Sequence, residues 1–170
     1  MNVTEAIRAR RSIRKFTSAE IPQEHLDIIL EAAMMCPSAR NMRPYEFAVI
    51  KSNEIKDAIA NISPNFKMIL NASCAIAVCG RPDLEEGMGH EFWQQDCSAA
   101  TENILLQALE LGYGTCWCGT YPVPERMEGV RAALGITDEN CIPFALIALG
   151  VPAENPAPRG FYDKTRVKYY

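Results

Sequence analysis

Arg10, Arg11, Arg14 and Lys15 put four cations within six residues, with the Ser12 hydroxyl among them and Ile13 and Phe16 flanking Arg14-Lys15. Guanidinium forks match phosphate oxygens in pairs, and a hydroxyl adds a neutral donor, so this stretch has the chemistry to hold a phosphate. A basic last turn on a first helix, favoured by the helix dipole, would explain the same residues without a ligand. The chain as a whole is mildly acidic, at −4 over 170 residues. The cations are therefore a local feature, suited to a small anionic ligand and not to nucleic acid or an anionic membrane.

Two other segments invite a ligand. Pro37-Ser38-Ala39-Arg40-Asn41-Met42-Arg43-Pro44 sets small, hydrogen-bonding side chains between rigid prolines, and such a loop can approach a flat heteroaromatic edge; a plain helix-to-strand connection is the other explanation. In Gly112-Tyr113-Gly114-Thr115-Cys116-Trp117-Cys118-Gly119 the backbone is bare at Gly119, so an amide can face a ligand; the alternative is a turn and strand with Trp117 in the core. It is not a dinucleotide fingerprint, because Trp117 stands where the third glycine would be and the segment follows a helix.

Other constellations fail. Cys116-x-Cys118 has no second Cys/His cluster at zinc spacing, so no metal site is expected. His25 and His90 belong to no nucleophile motif, and Glu85-Glu86 reads as a solvated loop pair. Seven cysteines, several in apolar runs and with no secretory signal, suit reduced thiols of a cytoplasmic protein.

The elements that must position these residues follow from periodicity. One domain is expected over residues 1–170. Val3–Arg10 reads as a short helix with Val3, Ala6 and Ile7 on one side. Leu26, Ile29, Leu30, Ala33 and Met34 mark a second helix after Pro22, stopped by Pro37. Tyr45–Lys51 reads as a strand, and polar amphipathic pieces follow at 55–62 and 66–70. Cys74–Cys79 and Ile142–Gly150 are continuous apolar runs, the signature of strands buried on both faces. Arg81–His90 is a Gly- and acid-rich loop. A long helix covers Trp93 to Leu111, with Gly112 as cap; a short strand lies within 113–121; a helix runs from Pro124 to Gly135. Residues 151–170 form an arm without a core of its own, suited to lying against a second subunit. The order is α+β, or a loose α/β mixture.

Three motifs together resemble the nitroreductase family. Arg10-Arg11-Ser12-x-Arg14-x-Phe16 is similar to its N-terminal signature. Pro37, Ser38, Asn41 and Pro44 match its Pro-Ser-x-x-Asn-x-Gln-Pro-Trp loop, with Arg43 and Tyr45 in place of Gln and Trp. Leu111 to Trp117 resembles its Leu-Gly-x-Gly-[Ser/Thr]-x-Trp segment. The resemblance implies a central sheet flanked by helices in an intertwined homodimer with C-terminal arm exchange, and two FMN sites at the interface. It implies that Arg10, Arg11, Ser12 and Arg159 hold the phosphate and ribityl chain, with Lys164 in reserve, and that Arg14 faces the pyrimidine edge. Pro37, Ser38, Ala39 and Asn41 would reach the flavin of the other subunit, and Trp117, Cys118 and Gly119 would lie beside N5. Asp96, Ala100 and Asn103 on the long helix resemble a weaker family pattern, in a helix expected to serve core and interface. The implied activity is ping-pong oxidoreduction: electrons pass from NAD(P)H through flavin N5 to a nitroaromatic, quinone or similar small oxidant, with no catalytic side chain. Two other functions fit the residues: a flavin-binding protein without turnover, and a thiol redox sensor using Cys116 and Cys118.

Overall fold

The two continuous apolar runs form the middle of a sheet. In the computed structural model, which describes residues 1–84 and 87–170, the strands lie in the order β1 (Tyr45–Ile50), β2 (Cys74–Gly80), β4 (Ile142–Gly150), β3 (Gly114–Gly119). Every neighbouring pair is antiparallel, which makes the fold α+β and removes the α/β reading. The expected Glu85-Glu86 pair lies outside the described residues.

β2 is buried at every position, and β4 at every position after Ile142. Cys74, Ile76 and Val78 pair with Leu149, Ile147 and Ala145 on one face; Ala75 and Ala77 pair with Ala148 and Leu146 on the other. The sheet thus separates two cores. Against the first face pack α2 (Gln23–Met34), through Leu26, Ile29 and Ala33, and α4 (Trp93–Glu110), through Cys97, Ala100, Ile104 and Ala108. Against the second pack α3 (Asn53–Ile62), a 3-10 segment (Pro64–Asn71) and α5 (Pro124–Leu134), through Ile59, Phe66, Ile69 and Val130. Each fully buried Ile, Leu or Phe contributes roughly 2 kcal/mol, so sequestering both faces outweighs any single polar interaction.

The ends of the elements obey local rules. In α1 (Val3–Ala9) Asn2 and Glu5 form a reciprocal capping box. Gly112 and Gly135 take positive φ, 84° and 65°, where α4 and α5 end.

Several apolar residues stand outside both cores. Val3 and Ile7 are 72% and 59% exposed, and only Ala6 of that face is buried, because α1 packs little of its apolar side on its own chain. Met34 is likewise exposed at the end of α2. Trp117 is not a core residue; the pleat points it away from the interior that takes Cys116 and Cys118. Among the described residues of the arm the only regular element is a 3-10 turn at Lys164–Arg166, and Phe161, Tyr162 and Tyr169 are exposed. No helix among the described residues is long and apolar enough to cross a membrane.

Candidate functional site

The basic stretch leaves α1 at Arg10, whose backbone turns extended (φ −56°, ψ 128°). It then runs parallel to β3: Ser12 bridges Thr115, and the Ile13 N–H donates to the Thr115 carbonyl at 2.8 Å. Gly114 makes this approach possible, since a Cβ there would stand 2.8 Å from Ile13.

Beyond Ile13 the stretch is clasped by the arm. The Thr17 N–H donates to the Val151 carbonyl at 2.9 Å, and the Ala153 N–H to the Lys15 carbonyl at 2.8 Å. Glu154 Oε1 accepts the backbone N–H groups of Arg14 and Lys15 at 2.6 and 3.1 Å. The Arg14 N–H, helped by that of Lys15 and by the two nearby cations, holds the Glu154 carboxyl below the usual carboxylate range. Arg11 Nη1 donates to the Ala157 carbonyl at 2.8 Å, two residues before the exposed Arg159. Arg10 Nε stands 3.2 Å from Glu102 Oε1 of α4. The backbone of the stretch is therefore fixed, with Arg10, Arg11 and Ser12 half-buried and Arg14 and Lys15 exposed.

On β3 the pleat separates two sets of side chains. Cys116 and Cys118 are buried among Phe66, Ile69 and Met68. The Cys118 thiol, then Arg14 and Ser12, pull the Cys116 thiol down to about 7 against its burial, while Cys118 is pushed up by Cys116 and by burial. Trp117, 36% exposed, packs against Phe144 at 6.0 Å, in an aromatic group with Trp93 and Tyr121. Gly119 faces open space, with nothing within 4 Å of where its Cβ would be. Its carbonyl accepts from Arg126 Nη1 at 2.9 Å. The next residue, Thr120, is fully buried, and its hydroxyl has no hydrogen-bond partner among the described residues.

The proline-bracketed loop is held elsewhere, on the first turn of α4. Both oxygens of the buried Asp96 carboxylate accept the Ala39 N–H, at 3.1 and 3.2 Å. Ser38 Oγ accepts the Arg43 N–H at 2.9 Å, and Arg43 Nε donates to Asn41 Oδ1 at 3.2 Å. Arg40, Asn41 and Arg43 take positive φ of 51°, 59° and 54°, a strained course for residues with a Cβ. A cavity of about 470 Å³ opens beside it, lined by Pro37, Ser38, Ala39, Phe92, Gln95 and Asp96 with Ala99.

The structure thus joins three remote parts of the sequence: Arg10–Arg14, the β3 residues through Gly119, and the arm before Arg159. Pro37, Ser38, Ala39 and Asn41 belong to a second cluster on α4. Sequence reasoning missed Glu154, which orders the basic backbone, and Arg126, which engages the Gly119 carbonyl; a carboxylate or guanidinium on an irregular or helical surface carries no signal of either partner. It singled out Asp96 and Asn103 but not what they do: Asp96 ties down the loop, and Asn103 Nδ2 donates to the Ala32 carbonyl of α2 at 2.8 Å. Both histidines are engaged away from this set, His25 with the Tyr113 hydroxyl at 2.6 Å and His90 with the Pro82 carbonyl at 3.0 Å. The assembled residues supply cations, a hydroxyl and an open backbone segment. They suit binding an anion joined to a flat group, and they present no acid–base pair among the described residues.

Comparison with known proteins agrees with this description. The chain is 47% identical, over 98% of its length and 86% of the relative's, to a Methanothermobacter thermautotrophicus protein provisionally named NADH dehydrogenase/NAD(P)H nitroreductase. A solved Parabacteroides distasonis structure of the same provisional name superposes with a TM-score of 0.92 at 32% identity, covering 98% of this chain and 96% of the other. A provisionally named nitroreductase from Desulfovibrio desulfuricans, solved in complex with FMN, superposes with a TM-score of 0.84 at 28% identity, covering 100% and 97%. The profile of the nitroreductase family matches residues 7–67 and 63–151, and with the fold and the three motifs this places the chain as a member of the nitroreductase family.

Proposed function

We propose that this protein is an FMN-dependent oxidoreductase that takes electrons from NAD(P)H and passes them, in a ping-pong cycle, to a nitroaromatic, quinone or similar small oxidant. The observation that carries the reading is the joining of the basic stretch, β3 and the arm: the Ile13–Thr115 and Arg11–Ala157 hydrogen bonds, both 2.8 Å, bring phosphate-binding residue types to a strand that ends at the open Gly119. The Methanothermobacter thermautotrophicus relative's name supports NAD(P)H as the donor, and the FMN in the Desulfovibrio desulfuricans structure supports the cofactor.

In this reading the chain's residues bind and orient. Arg10, Arg11 and Ser12 hold the phosphate, with Arg159 or Lys164 closing the site from the arm. Arg14 sets a cation at the pyrimidine edge, where it favours an anionic reduced ring. Trp117, Cys118 and Gly119 line the central ring, and the bare Gly119 backbone leaves room for close approach. The FMN itself supplies hydride acceptance and donation at N5. The loop Pro37, Ser38, Ala39 and Asn41 serves a second subunit's flavin, in a homodimer whose arms exchange. Two features favour that assembly: the exposed aromatic residues of the arm, and an apolar cavity of about 570 Å³ walled by Val3, Ile28, Met35 and Leu106 from three helices.

The test is the visible absorption spectrum of the purified protein before and after anaerobic NADH or NADPH. A flavin spectrum bleached by one of them identifies cofactor and donor together. A flavin that neither donor bleaches would leave a binding protein without turnover. Protein that cannot be reconstituted with FMN would refute the proposal.

A further inference from the structure

A second polar cavity, of about 620 Å³, lies at the end of the sheet where β1 stops and β2 starts, and it shares no residue with the flavin-site set. Its walls come from the crossing segment at 16–21, the start of α3 and the end of the 3-10 segment. Lys51 and Lys56 both line it, with Thr17, Asn53, Asn71 and Ser73 adding hydroxyl and amide groups.

Lys56 is the anomaly. It is only 6% exposed, yet among the described residues its ammonium has one hydrogen bond, to the Ala72 carbonyl at 3.1 Å. An ammonium carries three donors, so two are left over, and a buried charge without a counter-charge is costly. Lys51 Nζ meets only a neutral partner, Gln23 Oε1 at 3.1 Å. Among the described residues no carboxylate pairs with either lysine, and Glu20, the one acid in the lining, forms no ion pair. Both lysines line the same cavity, and burial pushes the Cys74 thiol up to about 11 against the opposing pull of both ammoniums. Ser73 Oγ accepts the Ile21 N–H at 3.1 Å, so its own proton is left to donate. The N-terminus of the ten-residue α3, capped by Ser52, adds a positive end at Asn53.

We propose that this cavity is a binding site for the oxyanion group, phosphate or carboxylate, of a small metabolite, held by Lys56 and Lys51 and separate from the flavin site. The anion supplies the counter-charge that Lys56 lacks, and the hydroxyls and amides complete its shell.

The probe is inorganic phosphate, titrated calorimetrically at fixed ionic strength into the full-length, flavin-loaded protein, with acetate as a second probe. The same titrations are run on Arg10→Ala, Lys51→Ala and Lys56→Met. The expected result is one saturable site in the wild type and in Arg10→Ala, with affinity reduced by about tenfold or more in each lysine variant. Tighter phosphate than acetate marks a phosphorylated ligand, and the reverse a carboxylated one. Absence of saturable binding by both probes overturns the proposal. So does binding that disappears in Arg10→Ala but survives in the lysine variants, since that places the anion at the flavin-phosphate residues. If Lys56→Met does not fold, Lys51→Ala, at an exposed position, decides alone.

Discussion

Replacing Asp96 by alanine should release the strained loop while leaving the sheet intact. Three residues of the loop sit at positive φ, 51° to 59°, and none is glycine. At about 1 kcal/mol each, the backbone stores roughly 3 kcal/mol of local strain. Hydrogen bonds oppose it: Ala39 N–H to Asp96, Arg43 N–H to Ser38 Oγ, Arg43 Nε to Asn41 Oδ1, and the two turn bonds Asn41 N–H to the Ser38 carbonyl and Met42 N–H to the Ala39 carbonyl. The Asp96 contact anchors the loop to α4, and its acceptor is a buried carboxylate. Losing a charge-assisted bond and stranding a half-buried N–H costs about 1–3 kcal/mol. Native-state hydrogen exchange should therefore show the amides of Asn41, Met42 and Arg43 exchanging about 5- to 150-fold faster in Asp96→Ala, with the β2 and β4 amides little changed relative to global stability. Asp96→Asn keeps a carbonyl acceptor and should fall between the two. Loop exchange unchanged in Asp96→Ala would refute the argument that this carboxylate holds the strain; a uniform acceleration across the sheet would show that it serves the core instead.

Arg10→Ala should weaken FMN binding by about 1.5–3 kcal/mol, ten- to hundredfold or somewhat more, in a fluorescence titration; an unchanged affinity would remove the phosphate assignment. Gly119→Ala should melt within a degree or two of the wild type, because its Cβ meets nothing, yet lose flavin affinity; equal affinity would show that the open space is not used. Gly80→Ala is the contrast: its Cβ would fall 2.1 Å from Trp93 Cε3, and such overpacking should cost about 1–3 kcal/mol or more in denaturant unfolding. One thiol should ionise near pH 7 in ultraviolet thiolate absorbance, and Cys118→Ala should move that step upward by removing the strongest stabiliser of the Cys116 thiolate. Because folding lowers the Cys116 pKa from about 9 to about 7, the stability it contributes is complete above pH 9 and lost as pH falls through 7. A Cys116→Ser variant should lose that part of the pH dependence.

How much of this was legible in the residues depends on the range of the interaction. Cys74–Cys79 and Ile142–Gly150 read as doubly buried strands because unbroken hydrophobicity is a local property, and they are the two central strands. Pro22, Gly112 and Gly135 marked helix ends because caps act within a turn. The strand order was not legible: pairing of β2 with β4 rests on residues about seventy positions apart. The basic stretch stood out by composition as a candidate for holding a phosphate, but its docking beside Thr115 depends on a missing Cβ at Gly114, which the sequence presents only as one more glycine. Trp117 was ambiguous because a tryptophan fits a core or a ligand wall equally well; the pleat turns it away from the core that holds Cys116 and Cys118 and leaves it 36% exposed. Lys56 was passed over within a polar amphipathic helix, where a lysine is expected to reach water.

The clasp between the basic stretch and the arm has a consequence for biosynthesis. Arg14 and Lys15 leave the ribosome well before Glu154, which fixes their backbone from 140 and 139 residues further along the chain. Until the arm emerges, the basic stretch has an unfinished edge, even once the helices that follow it have begun to form. In a flavin site built on these cations, loading would wait for the arm: a chain stalled before Val151 can bury part of its core but lacks the residues that order the basic stretch. Flavin incorporation would then report not merely that the core has folded but that translation has passed the arm.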